Sequence, residues 1–399
     1  MAHFDVPMGR TFANDTLRCQ SNYLIRTADG VLYSIFIASD NDLYWIKSTD
    51  NGLTWTNHVA ISGAAQVQGV AVWYDRWTTS GSGDVIHISW MDFGADKVFY
   101  RSLTTTTDTL GTSVDVFVGA SISVSSSMVS ITKAIGGNLY IAFDGDDGTE
   151  KGFYRSEDAG ATWGARTDIN EAASTDFYLL APGFAADNQD IMAIFWDRSA
   201  DEISRKVYDN SGDSWGESSI ATTMVDVAPS SSNDSSQFSI AVDLANSRLL
   251  LVAWSARDTA NADLRFWTIT ESAITEGTNV VLNSGDDQCM CAIALETDTD
   301  DIYVFYGGKS DGSETVGTSI NIYYKVSTDT GATWGAETQL NTVPAANFTH
   351  LRCTPRFTDG DFGVYYSREF SANEDTCIVA VPEVAGGGFI STSMSGGMV

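Results

Sequence analysis

The residues of this sequence that could do chemistry are mostly acidic. Asp and Glu number 52, and so many carboxylates can form pairs of the kind that a retaining glycosidase uses. The segment Asp144-Gly-Asp146-Asp147-Gly148 resembles a calcium loop but lacks the full spacing of one, which favours a solvated turn. The five cysteines and four histidines show no spacing typical of a zinc site or a disulfide framework. We therefore predict no metal, no cofactor, and cysteines buried as small apolar side chains.

The charge balance narrows the class of partner. The formal charge is −30, which would repel nucleic acid and disfavours anionic membrane surfaces. Leu249–Trp254 is among the longest apolar runs and is far shorter than the roughly 18 residues of a membrane span, so we expect no membrane insertion. The first residues, Met1–Pro7, show neither the charged nor the apolar part of a secretory signal. We expect a cytoplasmic protein, or one that leaves the cell by another route such as assembly into a virus particle.

The elements that must position these residues follow from an internal repeat. A short apolar run recurs seven times, with starts 52 to 60 residues apart. The runs are Val31–Ile37, Val85–Trp90, Leu139–Phe143, Ile191–Trp196, Leu249–Trp254, Ile302–Tyr306 and Phe362–Tyr366. In each unit a strand and a polar turn precede the run, and two further strands follow it. Four antiparallel strands per unit, with almost no helical periodicity, are typical of a β-propeller blade.

The sequence therefore predicts an all-β fold, a seven-bladed β-propeller of four-stranded antiparallel blades. Residues 1–385 are expected to form this single domain, and residues 386–399 a Gly- and Ser-rich tail. The last unit has three recognisable strands, and its fourth could come from Phe389-Ile390 or from the N-terminus, where Phe4, Val6 and Met8 alternate. We favour the N-terminal strand, because it would join the chain ends and leave no open edge.

One eight-residue pattern recurs between the third and fourth strands. It reads S-x-D-x-G-x-T-W in Ser48–Trp55, Ser156–Trp163 and Ser327–Trp334, with a decayed copy in Tyr208–Trp215. Its physical features are those of a hairpin turn: the Asp accepts hydrogen bonds from turn amides, the Gly supplies a positive φ, and the Trp packs inward beneath the turn. Units two and five lack the pattern.

This pattern resembles the Asp box, or BNR repeat, of the sialidase (neuraminidase) superfamily. The resemblance implies a propeller with Asp boxes on the rim of one face, away from any active site. It implies a structural role for Asp50, Trp55, Asp158, Trp163, Asp329 and Trp334.

Enzymes of that superfamily clamp a carboxylate with three arginines and use a Tyr–Glu nucleophile and an Asp acid/base. The first arginine would be Arg18, but the Ile-Pro expected after it is absent. The acid/base could be Asp40 or Asp42. Candidates in the last unit are Tyr365 or Tyr366 as nucleophile and Arg352, Arg356 or Arg368 as a clamp member, with no Glu partner in place. The active-site motif set is therefore incomplete, and we predict no catalytic residues.

The loops between second and third strands and the links between blades should share one face around the channel. The candidate binding face there consists of Arg18, Asp40, Asp42, Asp92, Asp197, Arg257, Arg352 and Arg368. We predict a non-catalytic interaction or structural propeller that binds a partner protein or a host-surface glycan. The Lys-poor, acidic composition, similar to that of phage and viral particle proteins, favours a virion component with neighbouring virion proteins as partners. The alternative is an exo-sialidase-like glycoside hydrolase.

Overall fold

The computed structural model describes sixteen segments of the chain: 2–5, 22–38, 40–63, 66–78, 83–119, 128–144, 151–169, 175–197, 200–224, 238–255, 262–284, 290–314, 321–340, 347–358, 362–370 and 373–381. Regular structure in these segments is almost entirely β-strand. The helical exception among them is a 3-10 turn, Asp75–Trp77. No helix in the described segments is long and apolar enough to cross a membrane.

The strands of the first half of the chain form four sheets, preceded by β1 (Ala2–Asp5). Sheet 1 contains β2 (Asn22–Arg26), β3 (Leu32–Ile37), β4 (Leu43–Ser48) and β5 (Val59–Ala60). Sheet 2 contains β6 (Val67–Tyr74), β7 (Val85–Asp92), β8 (Lys97–Thr104), β9 (Thr109–Leu110) and β10 (Val114–Val118). Sheet 3 contains β11 (Met128–Lys133), β12 (Leu139–Asp144), β13 (Lys151–Ser156) and β14 (Gly164–Ala165). Sheet 4 contains β15 (Thr175–Pro182), β16 (Ile191–Asp197), β17 (Glu202–Asp209) and β18 (Ser214–Thr222).

Three more sheets follow. Sheet 5 contains β19 (Phe238–Asp243), β20 (Arg248–Trp254), β21 (Ala262–Ile269), β22 (Ile274–Glu276) and β23 (Val281–Ser284). Sheet 6 contains β24 (Cys291–Glu296), β25 (Ile302–Gly307), β26 (Ile322–Ser327) and β27 (Thr338–Gln339). The remaining sheet combines β1 with β28 (Asn347–Cys353), β30 (Val364–Phe370) and β31 (Asn373–Val381), while β29 (Arg356–Phe357) leaves it to join sheet 6.

The sheets are arranged around a central channel as in a β-propeller. The first strands of adjacent sheets contact one another around the ring, in the order β2, β6, β11, β15, β19, β24, β28 and back to β2. The second strand of a sheet is covered on both faces by neighbouring sheets, and β3 is accordingly buried along its whole length. This explains why the second strands read as unbroken apolar runs rather than as an alternating pattern.

The prediction of seven equivalent blades, each of four antiparallel strands, is wrong. Six sheets are built from strands that follow one another along the chain, apart from β29 in sheet 6, and the remaining sheet joins strands from both chain ends. Sheets 2, 5 and 6 each have five strands. In sheets 2 and 5 the fourth strand is split in two, β9 and β10 pairing with β8 and β22 and β23 with β21. These are the two units in which the sequence shows no eight-residue turn between the third and fourth strands.

The fifth strand of sheet 6 breaks the antiparallel rule. Residues Arg356 and Phe357 of β29 pair in parallel with Leu295 and Glu296 of β24. Pro355 precedes them, and since proline has no backbone N–H it ends the preceding strand, β28. The chain therefore crosses from the last sheet to its neighbour before it turns into β30.

The N-terminal strand β1 forms the outer edge of the last sheet and pairs antiparallel with β31, from Ala2 opposite Val381 to Asp5 opposite Ile378. The predicted tail, residues 386–399, lies outside the described residues. In each sheet the turns from first to second and from third to fourth strand lie at one end, which we call the lower face. The turns from second to third strand lie at the opposite, upper face.

Candidate functional site

A cavity of about 300 Å³ opens at the lower face, where first-strand ends of four sheets converge. Three arginines line it, and we call it the arginine pocket: Arg26 ends β2, Arg76 lies in the 3-10 turn after β6, and Arg356 lies in β29. Thr297, which follows β24, closes the wall between the last two sheets. The pocket thus depends on the ring as a whole, because no single sheet supplies two of its arginines.

Local contacts fix two of the three arginines. Nη2 of Arg26 donates to Oδ1 of Asn51, 3.0 Å away in the neighbouring eight-residue turn. Nη1 of Arg356 donates to the backbone carbonyl of Arg76 at 2.9 Å, a contact between residues 280 positions apart. Arg76 itself is the most exposed of the three. Two guanidinium groups are therefore held by the fold, and the third reaches toward solvent.

The electrostatics of the pocket favour an anion. Burial lowers the pKa of Arg356, which nonetheless stays protonated at neutral pH, and its Nε has no hydrogen-bond partner among the described residues. The acidic group whose charge reaches Arg356 is Asp243, whose carboxylate is already bound by Arg248 at 2.6 Å. Burial also raises the pKa of Tyr74, in the pocket wall, to about 12, so its hydroxyl stays protonated.

No carboxylate belongs to the described lining of the pocket. Asp29 and Asp84 line a neighbouring cavity that shares Arg76 with it. Guanidinium groups bind carboxylate, sulfate or phosphate oxygens through paired hydrogen bonds. The arrangement is therefore suited to holding an anionic group, while the described lining supplies no carboxylate, imidazole or thiol for proton transfer.

A second polar cluster, largely buried, holds the 3-10 turn that carries Arg76. Oδ1 of Asp75 accepts hydrogen bonds from Nζ of Lys133 at 2.5 Å and from Nε2 of His87 at 2.9 Å. Nδ1 of His87 lies 2.7 Å from the Tyr100 hydroxyl. Burial lowers the pKa of His87 and raises that of Tyr100, so the imidazole is neutral, donates to Asp75 and accepts from Tyr100. We call this set of four side chains the Asp75 network.

The Asp75 network also sets the charge of its carboxylate. Burial alone would raise the pKa of Asp75, but the hydrogen bonds from His87 and Lys133 and the charge of Lys133 outweigh it and hold the pKa below its ordinary value. The ionised carboxylate is therefore paired with the Lys133 ammonium at every pH near neutrality. Because Asp75 directly precedes Arg76, the network positions one wall of the arginine pocket.

The predicted binding face is only partly described. Arg18 and Arg257 lie outside the described residues, and Asp197 and Arg368 are placed at the end of β16 and in β30 without their side chains. Asp40 accepts from the Tyr44 hydroxyl at 2.7 Å and from the Asp42 amide at 3.1 Å. Oδ1 of Asp92 accepts from the amides of Gln66, Gly94 and Ala95 at 3.2, 2.9 and 3.1 Å. These two carboxylates hold their own turns.

Arg352 does not lie with the other residues of the predicted binding face. Its guanidinium lies over the ring of Tyr23, 5.4 Å from the centroid, and it lines the central channel. The role assigned to the face as a whole stays a prediction.

The three complete eight-residue turns share one hydrogen-bond pattern. In the second of them, Oδ1 of Asp158 accepts from Ser156 Oγ at 2.9 Å and from the Thr162 amide at 2.8 Å, and Oδ2 accepts from Thr162 Oγ1 at 2.6 Å. The tryptophans contact their own turn or the preceding sheet, and Trp163 contacts both: its Nε1 donates to the carbonyl of Gly160 in its own turn at 3.2 Å. Trp163 lies against Tyr100 of the preceding sheet with ring centroids 5.2 Å apart, and Trp334 against Phe266 at 5.5 Å.

Sequence reasoning missed Arg26 and Arg76 and named Arg356 only as a possible clamp member. A signal for two of them was present. Arg26-Thr-Ala-Asp29-Gly30 and Arg356-Phe-Thr-Asp359-Gly360 repeat an R-x-x-D-G pattern at the first turn of adjacent units. Arg76 carries no such signal, because its unit has a longer connection in place of this turn.

Metal and thiol chemistry find little support in the described part of the chain. No group of three or more His, Cys, Asp or Glu side chains in it is placed to hold a metal ion. Cys291 and Cys353 are not joined in a disulfide; Sγ of Cys291 donates to the carbonyl of Val252 at 3.9 Å, and burial raises the pKa of Cys353.

No protein-family model matches the sequence, and no curated protein matches it. Solved structures do match the fold at low identity. The BP39L lectin from Burkholderia pseudomallei is 10% identical with a TM-score of 0.62, covering 88% of this chain and 93% of the lectin. An ulvan lyase of a new polysaccharide lyase family, bound to -[GlcA(1-4)Rha3S]-, is 10% identical with a TM-score of 0.55, covering 93% and 95%. The Hadza microbial sialidase Hz136 is 14% identical with a TM-score of 0.47, covering 94% and 68%.

The likenesses to the lectin and the polysaccharide lyase show a β-propeller fold.

Proposed function

We propose that this chain is a non-catalytic β-propeller that binds an anionic glycan through the arginine pocket. The observation that carries the proposal is the convergence of Arg26, Arg76 and Arg356 in one cavity without a described acidic lining residue. The chain has 52 acidic and 22 basic residues, so a local excess of positive charge is unusual in it. Such an excess favours binding of an anion, and anion binding would explain why the three arginines lie together.

The class of ligand is suggested by the fold neighbours. One carries carbohydrate-binding activity in its name, and another holds a saccharide of glucuronate and sulfated rhamnose. Carboxylate and sulfate are the groups that an arginine pocket recognises best. We therefore propose uronate-containing or sulfated oligosaccharides as ligands.

Calorimetric titration of matched oligosaccharides tests the proposal. A sulfated or uronate oligosaccharide should bind, its neutral counterpart of equal length should bind at least about tenfold more weakly, and added salt should weaken the anionic ligand alone. The variant Arg76→Gln should lose about 10- to 100-fold in affinity, because a charge-assisted hydrogen bond contributes roughly 1.5–3 kcal/mol.

Lys97→Gln is the matched control, since it removes one charge from a partly exposed ion pair with Asp115. It should stay within about twofold of the wild type. Equal affinity for neutral and anionic ligands, or an Arg76→Gln variant that binds like the wild type, would refute the proposal.

The proposal that the protein is not catalytic is tested separately. A fluorogenic sialoside should not be turned over, and turnover that Arg18→Ala abolishes would establish the sialidase-like alternative instead. Attachment to a phage particle stays a prediction from composition, to be checked by mass spectrometry of purified particles.

A further inference from the structure

A small apolar cavity occupies the centre of the ring, next to the arginine pocket. Its volume is about 110 Å³, and its walls come from first strands around the ring, with Leu24, Val72, Ile131, Leu180, Ile240 and Ile293 among them. We call it the central cavity. Five of these six side chains are buried, and Ile240 is half-buried.

The central cavity and the arginine pocket meet. Trp77 and Arg356 line both of them. Trp77 is held edge-on against Trp73, with ring centroids 5.4 Å apart, so the shared wall is built from packed aromatic side chains. A ligand whose charged group is held by the arginines would therefore have an apolar space directly beside it.

The serine and cysteine side chains of the central cavity are engaged elsewhere, and the guanidinium groups of Arg352 and Arg356 complete its lining. Ser130 Oγ accepts from the Leu180 amide at 3.0 Å, Ser239 Oγ accepts from the Ile293 amide at 3.3 Å, and Cys353 Sγ donates to the Ile293 carbonyl at 3.2 Å. These bonds join neighbouring first strands to one another. An ordered water needs two to four polar partners, so the part of the cavity that is lined by aliphatic side chains favours an apolar ligand over water.

We propose that the ligand of the arginine pocket carries a short apolar substituent that enters the central cavity. This inference rests on the proposed anion binding and narrows its ligand to an amphipathic anion. A cavity of about 150 Å³ in another protein holds benzene, so about four carbon atoms should fit here. The substituent is either an acyl group on an acidic saccharide or the chain of a free carboxylic acid, and both present the same chemistry to the protein.

A series of straight-chain carboxylates tests this on the intact protein. Affinity measured by calorimetry should rise about fourfold per methylene from acetate to butyrate, as burial of a methylene predicts, and should fall by octanoate, which is too long. Equal affinities for acetate and butyrate would overturn the inference but leave the proposed function standing. If no anion binds at all, the proposed function fails first.

Filling the central cavity provides a second, independent readout. Ala71 lines it from β6, and Ala71→Leu should abolish the gain from acetate to butyrate while acetate affinity stays unchanged. Arg76→Gln should instead weaken all chain lengths alike. An Ala71→Leu variant that melts like the wild type and still prefers butyrate would contradict the inference, and should that variant fail to fold, the wild-type series still decides.

The source of the substituent can be separated with a uronate disaccharide prepared with and without a butyryl ester. Tighter binding of the ester by about tenfold or more assigns the apolar group to a glycan. Equal binding of the two disaccharides, together with a chain-length effect among free carboxylates, assigns the site to the free acid.

Discussion

At the scale of single residues, the serine that opens each eight-residue turn holds the turn from inside. Ser48, Ser156 and Ser327 each accept a hydrogen bond from the amide of the turn glycine, at 2.7, 2.8 and 2.8 Å. These contacts are buried, whereas the threonine that bonds each aspartate is exposed. The hydrogen bonds from the side chain and amide of Thr162 lower the pKa of Asp158, so this carboxylate stays ionised and keeps accepting them.

The buried position of these serines yields a stability prediction. Ser156→Ala leaves the amide of Gly160 buried without an acceptor, which should cost about 1–3 kcal/mol of unfolding free energy. Thr162→Val removes a hydroxyl from an exposed site of the same turn and should cost about 0.5 kcal/mol or less. Urea denaturation compares the two, and a larger loss in the threonine variant would contradict this ranking.

At the scale of elements, the turns also join adjacent sheets. Gly331 has a φ of +88°, and a Cβ built on it would lie 2.1 Å from Cε1 of Phe266 in the preceding sheet. Gly160 meets Tyr100 in the same way at 2.1 Å. The glycine is therefore required twice, for the backbone conformation and for the close approach of two sheets.

We predict that Gly331→Ala lowers the free energy of unfolding by more than about 2 kcal/mol, since it combines backbone strain with displacement of a buried aromatic ring. Gly216→Ala is the control, because no heavy atom lies within 4 Å of the Cβ it would add and its φ is not positive. Thermal unfolding of both variants decides the question. A Gly331→Ala protein as stable as Gly216→Ala would show that the two sheets can move apart at no cost.

The Asp75 network makes stability depend on pH. The pKa of His87 is lower in the folded protein than in the unfolded chain, so the unfolded chain binds more protons between these two values. The contribution of His87 to the free energy of unfolding is therefore complete above the ordinary histidine pKa of about 6.5 and is lost as the pH falls below that value. Lys133 contributes in the same direction, since its charge opposes a second one on the imidazole.

Removing the His87 imidazole tests the predicted direction of this pH dependence. Between pH 7 and pH 5 the wild type should lose more stability than His87→Gln does, as measured by urea midpoints at each pH. His58 lies exposed on sheet 1, and His58→Gln should keep the wild-type pH dependence. An equal slope for the wild type and His87→Gln would mean that His87 is not held neutral.

At the scale of the whole molecule, the ring is held closed by strands that are distant in the sequence. The pair β1–β31 joins the two chain ends, and the parallel pair β24–β29 ties the last sheet to its neighbour. Both are short, with four and two residue pairs. The backbone pairing that joins the chain ends therefore spans only a few residues.

Deleting residues 1–5 should expose the edge of β31 and promote self-association, because unpaired strand edges recruit other strands. Sedimentation velocity should then show dimers or larger species, and the melting temperature should fall. Phe4→Pro should act in the same direction, while Phe4→Val, which keeps strand propensity, should remain monomeric if the wild type is. A deletion variant with unchanged mass and melting temperature would refute the role of β1.

The order of strands could be predicted from the sequence because the second strand of each sheet is buried on both faces and therefore appears as an apolar run. The run Leu249–Trp254 corresponds to β20, Arg248–Trp254. The divided outer strands and β29 could not be predicted, since both depend on which sheet edge is free once the ring has formed. The contact between Trp163 and Tyr100 could not be predicted either, because Tyr100 belongs to another unit.

The arginine pocket could likewise be predicted only in part from the sequence. The repeat of R-x-x-D-G marks Arg26 and Arg356, but only the closed ring brings Arg76 to them. Local patterns define the turns, and the convergence of turns from sheets far apart in the chain is a property of three-dimensional closure.

The antiparallel seam between β1 and β31 also has a mechanical consequence. Ala2 lies opposite Val381, so the entering end of β1 and the leaving end of β31 emerge side by side. A force that pulled these two ends apart would load the residue pairs one after another, as in unzipping, rather than all together in shear. A tether attached through both ends would thus open the ring at this seam under tension while every other sheet stayed intact.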